Sequence, residues 1–223
     1  MGSRGRFLPY SDEPTSHSMD NGGAIDAIKK WIIENRRNHI IALGPLTNLA
    51  TLIAQHPRVA SAIEQITWLG GSRGRGNHSP VAEFNALADA EALSIVAKSQ
   101  IPLRIIDLEL CRTVWFEESH IPDMCGKNRQ LVSDLLGGYL DIALHRGRMG
   151  MSIYDPLVAL SVVKSDLFQF TSASIAVQLE QGAEYGRTIF DTTVWENAGI
   201  VEIGVSVDSG NARNTCLAAL VNA

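Results

Sequence analysis

At 223 residues, 45% hydrophobic and 19% charged, the chain is long enough for one large domain or two small ones, and its composition excludes a disordered polymer. The formal net charge of −5 argues against nucleic acid or an anionic membrane surface as partner, since both select a clustered basic surface. No apolar run in the sequence reaches the roughly 18–20 residues of a membrane span. Cys111, Cys125 and Cys216 are widely spaced and odd in number, without a CxxC pair, so no disulfide framework is expected and a reducing cytoplasm is the default location.

Residues 1–23 are rich in Ser, Gly, Pro and charge and contain no apolar stretch of the secretory kind, so an irregular arm is expected ahead of a domain over 24–223. Ile25, Ile28, Ile32 and Ile33 recur at helical spacing and predict a helix over 24–37. HIIALG (39–44) predicts a short buried strand ending at glycine. PLTNLATLIAQH (45–56) predicts a helix with Pro45 in its first turn, where a missing N–H costs nothing. A second strand is expected in AIEQITWLGG (62–71), stopped by Gly70 and Gly71. DAEALSIVAKS (89–99) predicts a helix whose early acids suit the helix dipole. PLRIIDLEL (102–110) predicts a third strand, and NRQLVSDLLGGYLDIALHRGR (128–148) a helix weakened by Gly137 and Gly138. DPLVALSVV (155–163) predicts an apolar helix opening at Asp155. SASIAVQLE (172–180), GRTIFD (186–191) and IVEIGVSVD (200–208) alternate like strands, and NARNTCLAALVNA (211–223) closes with a helix.

Continuously apolar strands separated by helices predict an α/β fold: a mostly parallel, doubly wound open sheet with helices on both faces. In such sheets ligands bind beyond the carboxyl ends of the strands. That rule selects LGPLTN (43–48), GGSRGRGNHSPVAEFN (70–85) and ELCRTVWF (109–116).

GNHSPVAEFN (76–85) places Asn77, Glu83 and Asn85 in one short polar segment. Two readings stand side by side. The segment is a loop organised by its own hydrogen bonds, or it is a cradle for a polyhydroxylated ligand, because Asn both donates and accepts and Glu accepts twice. Asp155 in SIYDPLVAL (152–160) is equally open to two readings, a helix N-cap or a metal ligand or acid–base group at the same helix end. The histidines show no zinc spacing, and only His78 falls in a candidate site. GGSRGRG (70–76) is glycine-rich like a phosphate loop but lacks the lysine and hydroxyl ending, so a phosphate-loop nucleotide binder is a remote alternative.

ALGPLTNLA, WLGG followed by GNHSPVAEFN and DAEA, then YDPLVAL and EQGAEYGRTIFD, taken in this order, resemble the inosine–uridine-preferring nucleoside hydrolase family from about residue 17 onward. The resemblance implies hydrolysis of a ribonucleoside to a free base and ribose, as in nucleoside salvage, with a Ca²⁺ cofactor, and a homo-oligomer, dimer or tetramer. Carried over residue by residue, it implies ribose contacts from Asn77, Glu83 and Asn85, a Ca²⁺-ligating carboxylate at Asp155 and a Ca²⁺-ligating backbone carbonyl at Leu43. Oxygen donors of this kind suit a hard cation. Leu69 stands where the family often has Met near the sugar.

The sequence departs from the family at two places. Tyr154 stands where many members have a histidine that is a candidate acid for the leaving base; it is read as a base-side or leaving-group residue, or as a packing aromatic. The aspartate-rich DxDxxxDD segment, which in the family supplies calcium carboxylates and the general base, is not recognised, and SDEP (11–14) and MDN (19–21) do not replace it. No general base is therefore assigned. The expectation is a partial domain that begins roughly a quarter of the way into the family's sequence, missing its first strands and weak or inactive alone. The alternative is a non-catalytic derivative that binds a nucleoside, ribose or a protein partner.

Overall fold

The computed structural model describes residues 23–193 and 198–221. Its elements in chain order are α1 (Ala24–Glu34), β1 (His39–Ala42), α2 (Thr47–Gln55), α3 (Pro57–Ala60), β2 (Gln65–Leu69), α4 (Phe84–Ala88), α5 (Ala90–Lys98), β3 (Leu103–Ile106), α6 (Leu108–Thr113), β4 (Trp115–Phe116), α7 (Arg129–His145), β5 (Met151–Ser152), α8 (Asp155–Val163), β6 (Phe168–Val177), β7 (Thr188–Asp191), β8 (Gly199–Val207) and α9 (Ser209–Ala218). The irregular arm expected over 1–23, with its SDEP and MDN segments, lies outside the described residues except for Gly23, the residue that precedes α1.

The main sheet has the order β1-β2-β3-β8-β6-β7. β1, β2, β3 and β8 are parallel, with Ile66 beside Ile40 and Leu103, and Ile105 beside Ile203. β6 runs antiparallel to both β8 and β7. The expected mostly parallel α/β sheet is therefore observed. β4 and β5 form a small separate antiparallel ribbon.

Successive strand residues face opposite sides of a sheet, so each buried strand feeds two cores. Ile66, Trp68, Leu103 and Ile105 pack with Ile32, Leu52 and Leu93 of α1, α2 and α5 on one side. Leu69 and Ile106 pack with Leu110, Leu140, Leu157 and Leu217 of α6, α7, α8 and α9 on the other. Helices cover both faces, as a doubly wound sheet requires. Trp68 is fully buried, and its indole N–H donates to the Gly44 carbonyl at 2.9 Å, tying β2 to the turn after β1.

Four local expectations are corrected. Pro45 does not sit in the first turn of α2; the helix starts at Thr47 after Leu46, and Pro45 belongs to the preceding turn. The strand expected over 102–110 ends at Ile106, because buried Asp107 accepts from Leu110 N at 3.0 Å and starts α6 instead. Alternating apolar residues continue through Leu108 and Leu110, but the cap overrides the strand pattern. Asp155 is not the N-cap of α8; Tyr154 holds that position, and no side chain caps the helix there. The last two residues of the polar segment carry the start of a short helix, α4, that the pattern did not reveal. Gly137 and Gly138 do not interrupt α7, which runs through both.

Candidate functional site

The carboxyl ends of β1, β2 and β3 open into a cleft of about 1020 Å³. Leu43 comes from the end of β1, Leu69 from β2, and Leu108 and Arg112 from α6 after β3. Each of the three places selected by the strand-end rule thus supplies a wall. Asn77, Glu83, Asn85, Tyr154 and Asp155 line the same cleft. All the residues expected to form the site are brought together.

The polar segment is held by its own hydrogen bonds. The first turn of α4 has orphan amides that no helical carbonyl can take. Phe84 N donates to Asn77 Oδ1 at 2.9 Å, Asn85 N to Glu83 Oε1 at 2.8 Å, and Ala86 N to Glu83 Oε2 at 3.0 Å. Gly71 N also donates to Glu83 Oε2 at 3.0 Å. Glu83 is only 4% exposed, and its burial raises its pKa above the ordinary carboxyl value against the pull of these amides. Asn85 donates through Nδ2 to the carbonyls of Leu69 at 2.9 Å and Leu43 at 3.3 Å, bridging the ends of β2 and β1. The hydrogen bonds bear out the reading of the segment as a self-organised loop: Asn77 and Glu83 cap a helix. Asn77 Nδ2 and Asn85 Oδ1 keep no protein partner among the described residues, in side chains that line the cleft. Gly76 is where this loop folds back, and a Cβ there would collide with the carbonyl oxygens of Ser79 and Ala82.

The glycine-rich run before it is not a phosphate loop. An anion nest needs free amides. Gly71 N is bound to Glu83, Ser72 N donates to Thr188 Oγ1 at 2.9 Å, Arg73 N to Asp107 Oδ2 at 3.1 Å, Gly74 N to Ser72 Oγ at 3.2 Å and Gly76 N to the Pro80 carbonyl at 3.1 Å. Arg73 binds both oxygens of buried Asp107, through Nε at 2.9 Å and Nη2 at 3.1 Å, and Nη2 also reaches the Gly204 carbonyl at 3.0 Å. These contacts pin the loop to β3 and β8. The remote phosphate-loop alternative is overturned.

Asp155 remains accessible at the start of α8, and its carboxylate makes no hydrogen bond or ion pair among the described residues. The protein around it removes enough water to raise its pKa. Tyr139 of α7 lines the cleft beside Tyr154 and Asp155; burial first, and then the nearby charges of these two groups, pushes its hydroxyl up to about 12. Ca²⁺ takes about six to eight oxygens. Asp155 and the Leu43 carbonyl are oxygen donors of the right kind, the latter already accepting from Asn85. Among the described residues no group of three or more His, Cys, Asp or Glu side chains is placed to hold a metal. The described donors thus do not fit a complete calcium shell.

Sequence reasoning missed Arg75, Arg112, Arg146 and Arg148 in the cleft, along with Tyr139 and Ile142. Arg75 lies two residues before Asn77 and was within reach of the strand-end rule. Arg146 and Arg148 follow α7, a few residues ahead of SIYDPLVAL, and nothing in their spacing marks them.

The comparisons with known proteins agree with this geometry. The family model described as "Inosine-uridine preferring nucleoside hydrolase" matches residues 2–214. A pyrimidine-specific ribonucleoside hydrolase RihA from Shewanella woodyi is 33% identical over 159 residues, covering 68% of this chain and 50% of that protein. A probable uridine nucleosidase 1 from Oryza sativa subsp. japonica is 32% identical over 190 residues, covering 83% and 57%. The chain therefore spans between half and three fifths of the length of these relatives. Among solved structures, a plant nucleoside hydrolase matches with a TM-score of 0.83 at 23% identity, covering 95% of this chain and 71% of that one. A purine-preferring ribonucleoside hydrolase from Gardnerella vaginalis matches with a TM-score of 0.78 at 23% identity, covering 91% and 67%. Motif order, strand order, cleft and family match converge: the chain belongs to the inosine-uridine preferring nucleoside hydrolase family.

Proposed function

We propose that the cleft binds a ribonucleoside and serves hydrolysis of its N-glycosidic bond, giving a free base and ribose. The observation that carries this reading is the meeting of Asn77, Glu83, Asn85, Tyr154 and Asp155 in one cleft at the strand ends. Asn77 Nδ2 and Asn85 Oδ1 offer a donor and an acceptor to ribose hydroxyls. Glu83 lies beneath them as a buried carboxyl whose ionised form stabilises positive charge developing on a ribosyl transition state. Tyr154 and Tyr139 flank the space left for the base. Among the described residues Asp155 and the Leu43 carbonyl are the donors that would hold a calcium ion, which would supply Lewis-acid polarisation there. Release is expected to be slow, because the described donors fall short of a full shell. A cytoplasmic setting rests on the cysteine pattern, and a place in nucleoside salvage and a homo-oligomeric state on the family resemblance.

The test is ribose release from inosine and uridine by the purified chain, with added Ca²⁺ and with chelator. Calcium-dependent release that falls at least about tenfold in Asn77→Ala is expected, an alanine there removing a hydrogen bond that a buried sugar would leave unmade. Release that ignores the substitution sinks the ribose assignment.

A second reading, a binding derivative that pairs with a partner, is favoured by one observation. β1 is an edge of the described sheet, with Ile41 40% exposed, and beside it an apolar groove runs between α1 and β1 past Ile28, Trp31 and Ile40. Uridine binding unchanged by chelator, without any release of ribose, would select it.

A further inference from the structure

The charge of the cleft runs opposite to that of the chain. The chain is acidic, with a formal net charge of −5. Among the described residues the cleft carries Arg75, Arg112, Arg146 and Arg148 against two acids, Glu83 and Asp155. Arg112 is committed: its Nη1 meets Glu109 and the Arg75 carbonyl, and its Nη2 the Gly76 carbonyl at 3.2 Å. It therefore holds the backbone that leads into Asn77. Arg75, Arg146 and Arg148 are exposed and make no side-chain hydrogen bond or ion pair among the described residues.

Local structure accounts for one of these three. Arg146 is the C-cap of α7, where a cation meets the negative end of the helix dipole. That does not explain Arg148, which lies beyond the helix, nor Arg75, which comes from the loop after β2. Uncharged nucleosides give a guanidinium nothing to neutralise. Converging unpaired guanidiniums are the usual recognition chemistry for phosphate and carboxylate, which they grip through forked, charge-assisted hydrogen bonds. The cations come from the loop that leads into Asn77 and from the end of α7, and they share one cleft with Asn77 and Asn85.

We propose that this cleft takes a ribonucleoside bearing an anionic group, held by Arg75, Arg146 and Arg148. The inference rests on the ribonucleoside reading above and narrows it to a ligand class. The anion can be a phosphate on the 5′ oxygen or a carboxylate on the base; the guanidinium chemistry is shared, and the two sources separate by experiment.

The test is calorimetric binding of uridine, uridine 5′-monophosphate and orotidine, whose base carries a carboxylate, to the purified full chain at low and high salt. One anionic ligand is expected to bind at least about tenfold more tightly than uridine, the scale of a charge-assisted hydrogen bond. That advantage should shrink as salt screens it. It should vanish in the Arg146→Ala/Arg148→Ala double variant, in which uridine binding persists. Both positions are exposed, so the variant is expected to fold, which circular dichroism checks. Tighter monophosphate places the anion at the 5′ oxygen, and tighter orotidine places it on the base. Uridine binding with no anionic preference overturns the inference and leaves the ribonucleoside reading standing. An anionic preference that survives the double variant overturns the assignment to these arginines. Failure of all three ligands to bind overturns both readings.

Discussion

Glu83 is a scaffold residue that also lines the cleft. Its carboxylate ties Gly71, Asn85 and Ala86 together, so its first role is to fold the segment that carries Asn77 and Asn85. Burial raises its pKa above 4.5. In the folded chain the protonated form is then favoured relative to the unfolded chain. The stability this group contributes is full below 4.5 and declines as pH rises through the raised value. Glu83→Gln removes the titration, so urea unfolding measured from pH 4.5 upward should lose that decline in the variant; parallel curves for the two proteins would refute the assignment. Arg73 presents the opposite case. Its partner Asp107 is completely buried, and Arg73→Ala would leave that charge without its counterion. A loss of about 3–5 kcal/mol in chemical denaturation is expected. Neither role was legible in the sequence. Asn77, Glu83 and Asn85 could be singled out because three polar residues crowd ten positions after an apolar strand, but whether they face the backbone or a ligand depends on amides that only the folded loop supplies.

The helices and strands behave as their patterns direct, with the exceptions where a cap competes. α8 is the clearest example of a helix held by packing: it is apolar on most sides and lies against β2 in the second core. Leu157 is fully buried there, and Leu157→Ala should cost about 2–5 kcal/mol in urea unfolding. Val163→Ala, at the exposed end of the same helix, should stay within about 0.5 kcal/mol. Equal losses at the two sites would contradict the core assignment. β1 and β2 could be placed from short apolar runs ended by glycine, and β6, β7 and β8 from alternation. The boundary at Asp107 could not, because Leu108 and Leu110 continue the strand pattern and the deciding bond, from Leu110 N, is local geometry. α4 was hidden for a similar reason, being too short for helical periodicity to register and capped by residues that also read as ligand-binding.

At the scale of the whole molecule, two features follow from the order of the sheet. The cleft forms where β1, β2 and β3 end side by side, and β1 forms one margin of the described sheet. Unpaired strand margins with exposed apolar residues invite pairing with other chains. Sedimentation velocity should therefore show association that grows with concentration, and Ile41→Lys, which puts a charge on that margin, should suppress it. Identical sedimentation of the two proteins would show that the margin is not an association surface.

Strand and helix order, the mostly parallel sheet and the end of it that carries the site were all readable from the chain, because they depend on local apolar periodicity and on the one-sided rule for parallel sheets. The motifs that mark the family were readable too, since each is short and continuous. Convergence was not. Arg75, Tyr139, Arg146, Arg148 and Asp155 meet in one cleft although about 80 residues of chain separate the first from the last. Long-range meetings of this kind are set by how helices pack across the two faces of the sheet. The composition of the cleft is consequently a property of the tertiary arrangement, which carries arginines from separate parts of the chain to the same place as Asn77 and Asn85.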